Sequence, residues 1–172
     1  MKTRVILTSC LVVVFGLASL ANAQLKAGSP EEEAYLKIDA EKNSDSKLTL
    51  LLDFEKKFPA ISPKVLANVF LMAMDIYSDK DNKPKIAEYG DKAIAKDPDN
   101  VTALLRVSRN YSTEKANLPK AVAYAEKAKQ LIDGLRKDPT PLGQSEEQYK
   151  QWLDANAMSA DQLANYARGL QK

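Results

Sequence analysis

The side chains that could do chemistry in this chain are mostly carboxylates and lysines. Histidine is absent, and the one cysteine, Cys10, lies near the amino terminus. The chain therefore offers no imidazole base and few of the nitrogen and sulfur ligands that transition metals prefer. A catalytic site would have to use paired carboxylates, of which Asp75 and Asp79, one helical turn apart, are the clearest pair. That spacing is equally typical of a polar helix face. We expect no enzyme, no cofactor and no metal site, with a carboxylate-based hydrolase as the less favoured alternative.

Two further acidic clusters have structural explanations. Glu31-Glu32-Glu33 follows a proline at a predicted helix start, where the helix dipole favours negative charge. This explanation is preferred to a cation site. Asp97-Pro98-Asp99-Asn100 lacks the alternate-ligand spacing and the terminal glutamate of a calcium loop. It is typical of a turn between helices.

Residues 1–23, the leader, have the organisation of a secretion signal. Lys2 and Arg4 precede an almost wholly apolar run from 5 to 20. The following Ala21-Asn22-Ala23 fits the small-x-small pattern of a signal peptidase site. We expect cleavage between Ala23 and Gln24 and a periplasmic or secreted protein. An uncleaved membrane anchor is the alternative.

A short segment of the leader, Leu7-Thr8-Ser9-Cys10, resembles the lipobox of bacterial lipoproteins. Few apolar residues precede Cys10, too few for a signal core, and the apolar run continues past it. We therefore expect no lipid anchor. Membrane contact is expected only if the leader is retained.

The charges of the chain are balanced and interleaved. The full sequence has 25 basic and 23 acidic residues, and loss of the leader removes two basic ones, leaving 23 of each sign. No basic stripe follows any predicted element, so nucleic acid and anionic lipid headgroups are poor candidate partners.

The apolar residues recur with helical spacing and nowhere alternate over a useful length. Residues 24–29 form a short polar lead that we expect to be flexible. Capping side chains and prolines mark the helix starts. These signals predict no sheet, and helices at about 30–42, 46–58, 63–78, 83–96, 100–112, 118–137, 145–155 and 159 to the end.

The chain also repeats itself. Residues of one predicted helix are matched 34 positions later in another: Phe70, Ala73, Met74 and Tyr77 by Leu104, Val107, Ser108 and Tyr111. The segment 89–93 is likewise matched by 124–128, 35 positions later, because the second inter-helix turn is one residue longer. The repeated unit is a pair of helices.

A 34-residue unit of two helices resembles the tetratricopeptide repeat, with its large-x-x-small-small-x-x-Tyr, Ala-x-x-x-aromatic-x-x-Ala and closing Pro. The unit at 67–100 matches that pattern at Phe70, Ala73, Met74, Tyr77, Ile86, Gly90, Ala93 and Pro98. The unit from 101 to about 135 matches it at Leu104, Val107, Ser108, Tyr111, Ala121, Ala125 and Ala128. Segment 30–59 has the outline of a third, more diverged unit.

The resemblance implies an all-α protein, a right-handed α-solenoid of antiparallel helix pairs with about three units over 30–137. An unrelated helical bundle is the alternative. Small residues on each second helix are expected to let paired helices approach closely: Gly90, Ala93, Ala121, Ala125 and Ala128. Residues 138–172 are expected to form a connector and two C-terminal capping helices. Tyr149, Trp152 and Leu153 would cover the last pair, with ligand stacking as the alternative role for Trp152.

Proteins of this family bind extended peptides or helices in a concave groove lined by their first helices. The resemblance places such a groove at Asn68, Leu71, Asp75, Ser78, Asp79, Thr102, Leu105, Arg109, Ser112 and Thr113. The alternative is that these are ordinary solvated surface positions. Of the residues with which chaperone-binding members clamp a carboxylate, only Arg106 has a counterpart, since Met72 and Thr102 occupy two of the other places.

By analogy with exported bacterial proteins of this family, we expect a scaffold or adaptor that binds a protein or peptide in envelope assembly or complex formation. The alternative is a structural envelope protein that oligomerises through the open end of its solenoid.

Overall fold

A computed structural model describes residues 25–141 and 144–172, so the predicted signal peptide and its cleavage site lie outside the described residues. Seven helices cover 77 % of the described residues, which contain no strand. The helices are α1 (Pro30–Ala40), α2 (Ser44–Lys57), α3 (Pro63–Asp79), α4 (Lys83–Lys96), α5 (Val101–Thr113), α6 (Leu118–Leu135) and α7 (Glu146–Leu170). The all-α prediction is confirmed. Among the described helices, none is long and apolar enough to cross a membrane.

Side-chain caps explain where most of these helices begin. Asparagine or serine oxygens accept the exposed backbone N–H groups of the first turn in six of the seven helices. The capping residues are Ser29, Asn43, Asn82, Asn100, Asn117 and Ser145. Prolines in the first turn of α1, α3, α4 and α6 add a backbone angle already suited to a helix.

The amino-terminal lead is more structured than the sequence predicts. Leu25 packs against the hydrophobic core, and the Ser29 N–H donates to the carbonyl of Lys26 at 3.0 Å. Gly28 adopts a φ of 73°, which a glycine accepts without strain. The Gly28 N–H donates to the Glu32 carboxylate at 2.6 Å, while the Glu32 N–H donates to Ser29 Oγ at 3.2 Å. The Ser29 side chain thus caps α1 as in a capping box, while the Glu32 carboxylate accepts from Gly28, one residue before the cap, and these two bonds fix the entry to α1.

The carboxy-terminal region also differs from the prediction. Ser159-Ala160-Asp161-Gln162 has the form of a capping box and predicts a new helix, but α7 runs unbroken from Glu146 to Leu170. A capping box starts a helix only where the preceding residues leave helical geometry, and no glycine or proline lies between 144 and 168. Leu153 and Ala160 are buried on the same side of α7, which favours one straight helix.

The cap of the last helix pair is partly as expected. Tyr149 and Leu153 are buried, 8 % and 4 % exposed. Trp152 is 38 % exposed and stacks on the Tyr149 ring, with centroids 6.1 Å apart and planes inclined by 6°. Trp152 is thus covered in part, through its contact with Tyr149, and is less buried than Tyr149 and Leu153.

Each helix packs against the next along the chain, and α5 packs in addition against α3 and α7. One hydrophobic cluster runs through all seven helices. The small residues that the sequence singles out on α4 and α6 are all buried: Gly90, Ala93, Ala121, Ala125 and Ala128.

Among these small residues, Gly90 lies very close to side chains of the neighbouring helix α5. A Cβ atom built there would lie 2.7 Å from the Tyr111 hydroxyl oxygen and 2.9 Å from a Val107 methyl carbon, closer than real Cβ contacts allow. The absence of a side chain at Gly90 therefore lets α5 lie directly against α4.

Candidate partner-binding face

The face formed by α3 and α5 holds most of the residues predicted to line a groove. Seven of the ten predicted residues keep part of their surface: Asn68, Asp75, Ser78, Asp79, Thr102, Arg109 and Thr113. Among them Asp79, Arg109 and Thr113 are the most exposed. We call these seven residues, together with Arg106, the α3–α5 face.

Three predicted groove residues lie elsewhere. Leu71 and Leu105 are 2 % and 6 % exposed and belong to the hydrophobic core, because their helices turn these leucines toward neighbouring helices. Ser112 is fully buried, and its hydroxyl donates to the carbonyl of Ser108 at 2.8 Å. These three side chains offer no surface to a partner.

A polar network joins the two helices across the face. The Asp75 carboxylate pairs with the Arg106 guanidinium and accepts a hydrogen bond from the Asn110 amide at 3.1 Å. One turn further along, the Ser78 hydroxyl donates to the Glu114 carboxylate at 3.4 Å. Asp75 is therefore held by α5, and it orients the Arg106 head group at the centre of the face.

The Arg106 side chain is only one-third exposed. Burial lowers the pKa of its guanidinium from the ordinary value. An arginine nevertheless stays charged in proteins, so this face keeps a fixed positive group. A guanidinium carries five N–H donors, more than the Asp75 pair uses.

Asn110 and Glu114 are two residues at this face that were not predicted from the sequence. The signal that could have found them is the repeat itself, since Asp75 and Asn110 are 35 residues apart and Ser78 and Glu114 are 36 apart. Polar residues one repeat period apart come side by side when successive units stack.

A second polar cluster lies where α4, α5 and α6 meet. The Asp91 carboxylate accepts hydrogen bonds from the hydroxyls of Tyr111 at 2.9 Å and Tyr124 at 3.0 Å, and it pairs with the Lys120 ammonium. Burial, reinforced by the Asp91 hydrogen bond, raises the pKa of Tyr111 and raises that of Tyr124 to about 12. Both phenols are hydrogen-bond donors at neutral pH, and the cluster ties the three helices together.

A related cluster joins α2 to α4. The Tyr89 hydroxyl lies 3.4 Å from the Glu55 carboxylate, and the Lys92 ammonium lies 2.9 Å from the same carboxylate and 4.5 Å from the centre of the Tyr89 ring. Burial, with the Glu55 charge second, raises the pKa of Tyr89 to about 12. A shallow, open cleft of 330 Å³ lies beside Lys92, with Leu66 and Phe70 in its wall.

Several of these hydrogen bonds share one spacing along the chain, whereas others, such as Lys120–Asp91 at 29 positions and Tyr111–Asp91 at 20, do not. Six side-chain hydrogen bonds join residues 33 to 37 positions apart: Ser78–Glu114, Lys80–Asp45, Tyr89–Glu55, Lys92–Glu55, Asp75–Asn110 and Tyr124–Asp91. Tyr89 on α4 and Tyr124 on α6 each contact an acidic residue 34 or 33 positions earlier in the chain. These six separations lie close to the 34- and 35-residue offsets of the sequence repeat.

In the described part of the chain, no group of three or more acidic side chains is placed to hold a metal ion, and every buried side-chain nitrogen or oxygen has a hydrogen-bond partner. Compared with known proteins, the chain matches no protein-family model, no curated protein and no solved structure. The likeness to tetratricopeptide repeats therefore rests on the residues of this chain alone.

Proposed function

We propose that this chain is an exported, tetratricopeptide-like scaffold, a right-handed solenoid of antiparallel helix pairs that binds a protein or peptide partner on its α3–α5 face. The observation that carries the proposal is the pair of hydrogen bonds on that face between residues about one repeat period apart, Asp75–Asn110 and Ser78–Glu114, because they hold α5 against α3.

The spacing of contacts favours a stack of units over a closed bundle. In a stack each unit touches only its neighbours, so long-range contacts cluster near one repeat length in sequence. Six of the side-chain hydrogen bonds between helices, at separations of 33 to 37 residues, have this property. The packing of α5 on α3 and of α7 on α5 repeats the same step. Extensive packing of α1 on α6 or α7, which a closed bundle would require, does not occur among the described helices.

The chemistry of the face suits a peptide backbone. Asn68 can donate to a carbonyl and accept from an N–H, as an extended peptide requires, and Thr102 adds a hydroxyl that does both. Arg106 is held in place by Asp75, so little rotamer freedom is lost when a ligand binds it. Arg109 adds a second, exposed positive charge. We infer a partner segment that presents carbonyl or carboxylate oxygens to these two arginines.

The proposed cellular location follows from residues 1–23, the leader. Its basic start, apolar run and Ala-x-Ala ending support export, and the balanced charge of the remainder favours a protein partner over nucleic acid. A role in envelope assembly or complex formation is the function that the family resemblance supports best. The lack of histidine supports a binding role over an enzymatic one.

The test is capture of a partner by the full chain from an extract of its own cell envelope, followed by calorimetry with the captured protein. We expect Arg109→Glu to weaken the affinity tenfold or more, because the reversed charge faces the partner directly. Lys150→Glu is the matched control: it makes the same charge reversal at an exposed position on α7 and should leave affinity unchanged. Equal affinities for the wild type and Arg109→Glu would remove the α3–α5 face from the proposal.

A further inference from the structure

The amino-terminal lead lies directly after the predicted cleavage site. Removal of the leader would break the peptide bond between Ala23 and Gln24, and only Gln24 separates that bond from Leu25, the first residue that the structure describes. Leu25 packs against the hydrophobic core. The Cα atoms of Ala23 and Leu25 can lie no more than about 7 Å apart, even in a fully extended chain. The bond to be cut is therefore held close to the folded part of the molecule.

The contacts of residues 25–29 fix this part of the lead to the fold. The Leu25 side chain contacts the core, and the Ser29 N–H donates to the carbonyl of Lys26 at 3.0 Å. The Gly28 N–H donates to the Glu32 carboxylate at 2.6 Å. These residues also face the connection between α2 and α3, residues 58–61, across a shallow, open cleft of 360 Å³. The chain that follows the cleavage site is thus a folded part of the protein and not a free tail.

A peptidase needs a stretch of chain that is free of such contacts. Proteases cut exposed segments readily, whereas a segment held by packing and hydrogen bonds is cut only after it opens locally. A peptidase that recognises the small residues Ala21 and Ala23 must take the chain on both sides of the bond into its own site. Leu25, the second residue after the bond, would have to leave the core for this to happen.

We propose that folding of the lead closes the cleavage site, so that the leader must be removed before α1 and α2 pack together. This inference rests on the proposed export of the chain. Hydrolysis adds one water molecule across the Ala23–Gln24 bond and leaves a carboxylate on Ala23 and an ammonium group on Gln24. A copy that folds first keeps its leader, and with it the apolar run from 5 to 20. The order of folding and cleavage then decides whether a copy is released or stays attached to the membrane.

The first test measures cleavage of the folded full chain, leader included, by purified signal peptidase in detergent. Mass spectrometry follows loss of residues 1–23. In a spacer variant, about six flexible Gly and Ser residues are inserted between Gln24 and Leu25, which moves the bond away from the fold. We expect the spacer variant to be cleaved at least about tenfold faster than the wild type, with the same helical circular dichroism. The matched control carries the same insertion between Pro139 and Thr140, in the connector before α7, and should keep the wild-type rate.

The second test loosens the lead without lengthening it. Leu25→Ser removes the apolar contact with the core and should also speed cleavage of the folded chain. Leu36→Ser makes the same change at a leucine of α1 that is 47 % exposed, and it should leave the rate unchanged. If the spacer variant and Leu25→Ser are cut no faster than the wild type, folding does not protect the bond and the proposal is overturned.

Export is measured separately, from the amino terminus of the protein recovered from the cell envelope. That terminus should be Gln24. Finding Gln24 there together with equal cleavage rates for the wild type and the spacer variant overturns this inference alone. Finding Met1 there contradicts the proposed export, and the inference with it.

Discussion

At the scale of single residues, small side chains decide how closely the helices of this protein can approach. The sequence indicates the small positions on α4 and α6, and the structure buries all of them. What the sequence cannot tell is which neighbour fills the space. At Gly90 that neighbour is Tyr111, which is fully buried and shares its single hydroxyl proton between the Ala87 carbonyl at 2.7 Å and the Asp91 carboxylate at 2.9 Å.

Gly90→Ala should destabilise the protein although alanine is the better helix former. The added methyl would meet the Tyr111 ring and the Val107 side chain at less than 3 Å, and neither can move freely in a filled core. We expect a net loss of about 1–3 kcal/mol in the free energy of unfolding, measured by urea denaturation.

The control for this change is Gly134→Ala on α6. A Cβ at Gly134 meets nothing within 4 Å. That variant should be as stable as the wild type or up to about 1 kcal/mol more stable. Should Gly90→Ala behave like Gly134→Ala, the close approach of α4 and α5 would be wrong.

At the scale of elements, local signals predict where helices start better than where they stop. Asn82, Asn100 and Asn117 each cap a helix that the sequence places within a residue or two, because a cap depends only on the next turn. The sequence predicted two helices in place of the continuous α7, because a capping-box sequence such as Ser159-Ala160-Asp161-Gln162 can also occur inside a helix. The burial of Leu71 and Leu105 was missed because the inward face of a helix depends on neighbours that are distant in sequence.

The continuity of α7 can be tested at Ala157, which lies in the break that the sequence predicts. Within a continuous helix Ala157→Gly should cost about 1 kcal/mol, since glycine loses more backbone freedom than alanine in a helix interior. Ala27→Gly, exposed and outside any helix, should change stability by less than about 0.5 kcal/mol. Urea denaturation measures both. Equal, negligible effects would mean that the helix is interrupted near residue 157.

At the scale of the whole molecule, tyrosine hydroxyls join α2 to α4 and α4 to α6, and this makes the stability of the fold decrease at alkaline pH. The pKa values of Tyr89 and Tyr124 are raised to about 12 in the folded protein, from an ordinary value of 10.0. The folded chain therefore holds these two protons more tightly than the unfolded chain. The stabilisation is complete below pH 10 and is lost as the pH rises from 10 to 12.

The prediction is a free energy of unfolding that falls between pH 10 and pH 12, measured by urea denaturation at each pH. Tyr89→Phe and Tyr124→Phe should each make that fall shallower, because phenylalanine has no proton to lose. Gly134→Ala, which changes no titratable group and meets no neighbour within 4 Å, should keep the slope of the wild type. If all three variants share one slope, the buried phenols do not set the alkaline limit.

The ties at one repeat period also have a mechanical consequence. In the proposed stack each helix pair is held only by its neighbours, so tension applied between the chain ends would pass through every contact in series. Such a molecule would first lengthen elastically, through small changes in the tilt between neighbouring units, before any helix unfolds. Under greater load it would give way one unit at a time and not in a single event. The elastic range would be limited by the polar bonds between successive units, foremost those of Asp75 and Asp91.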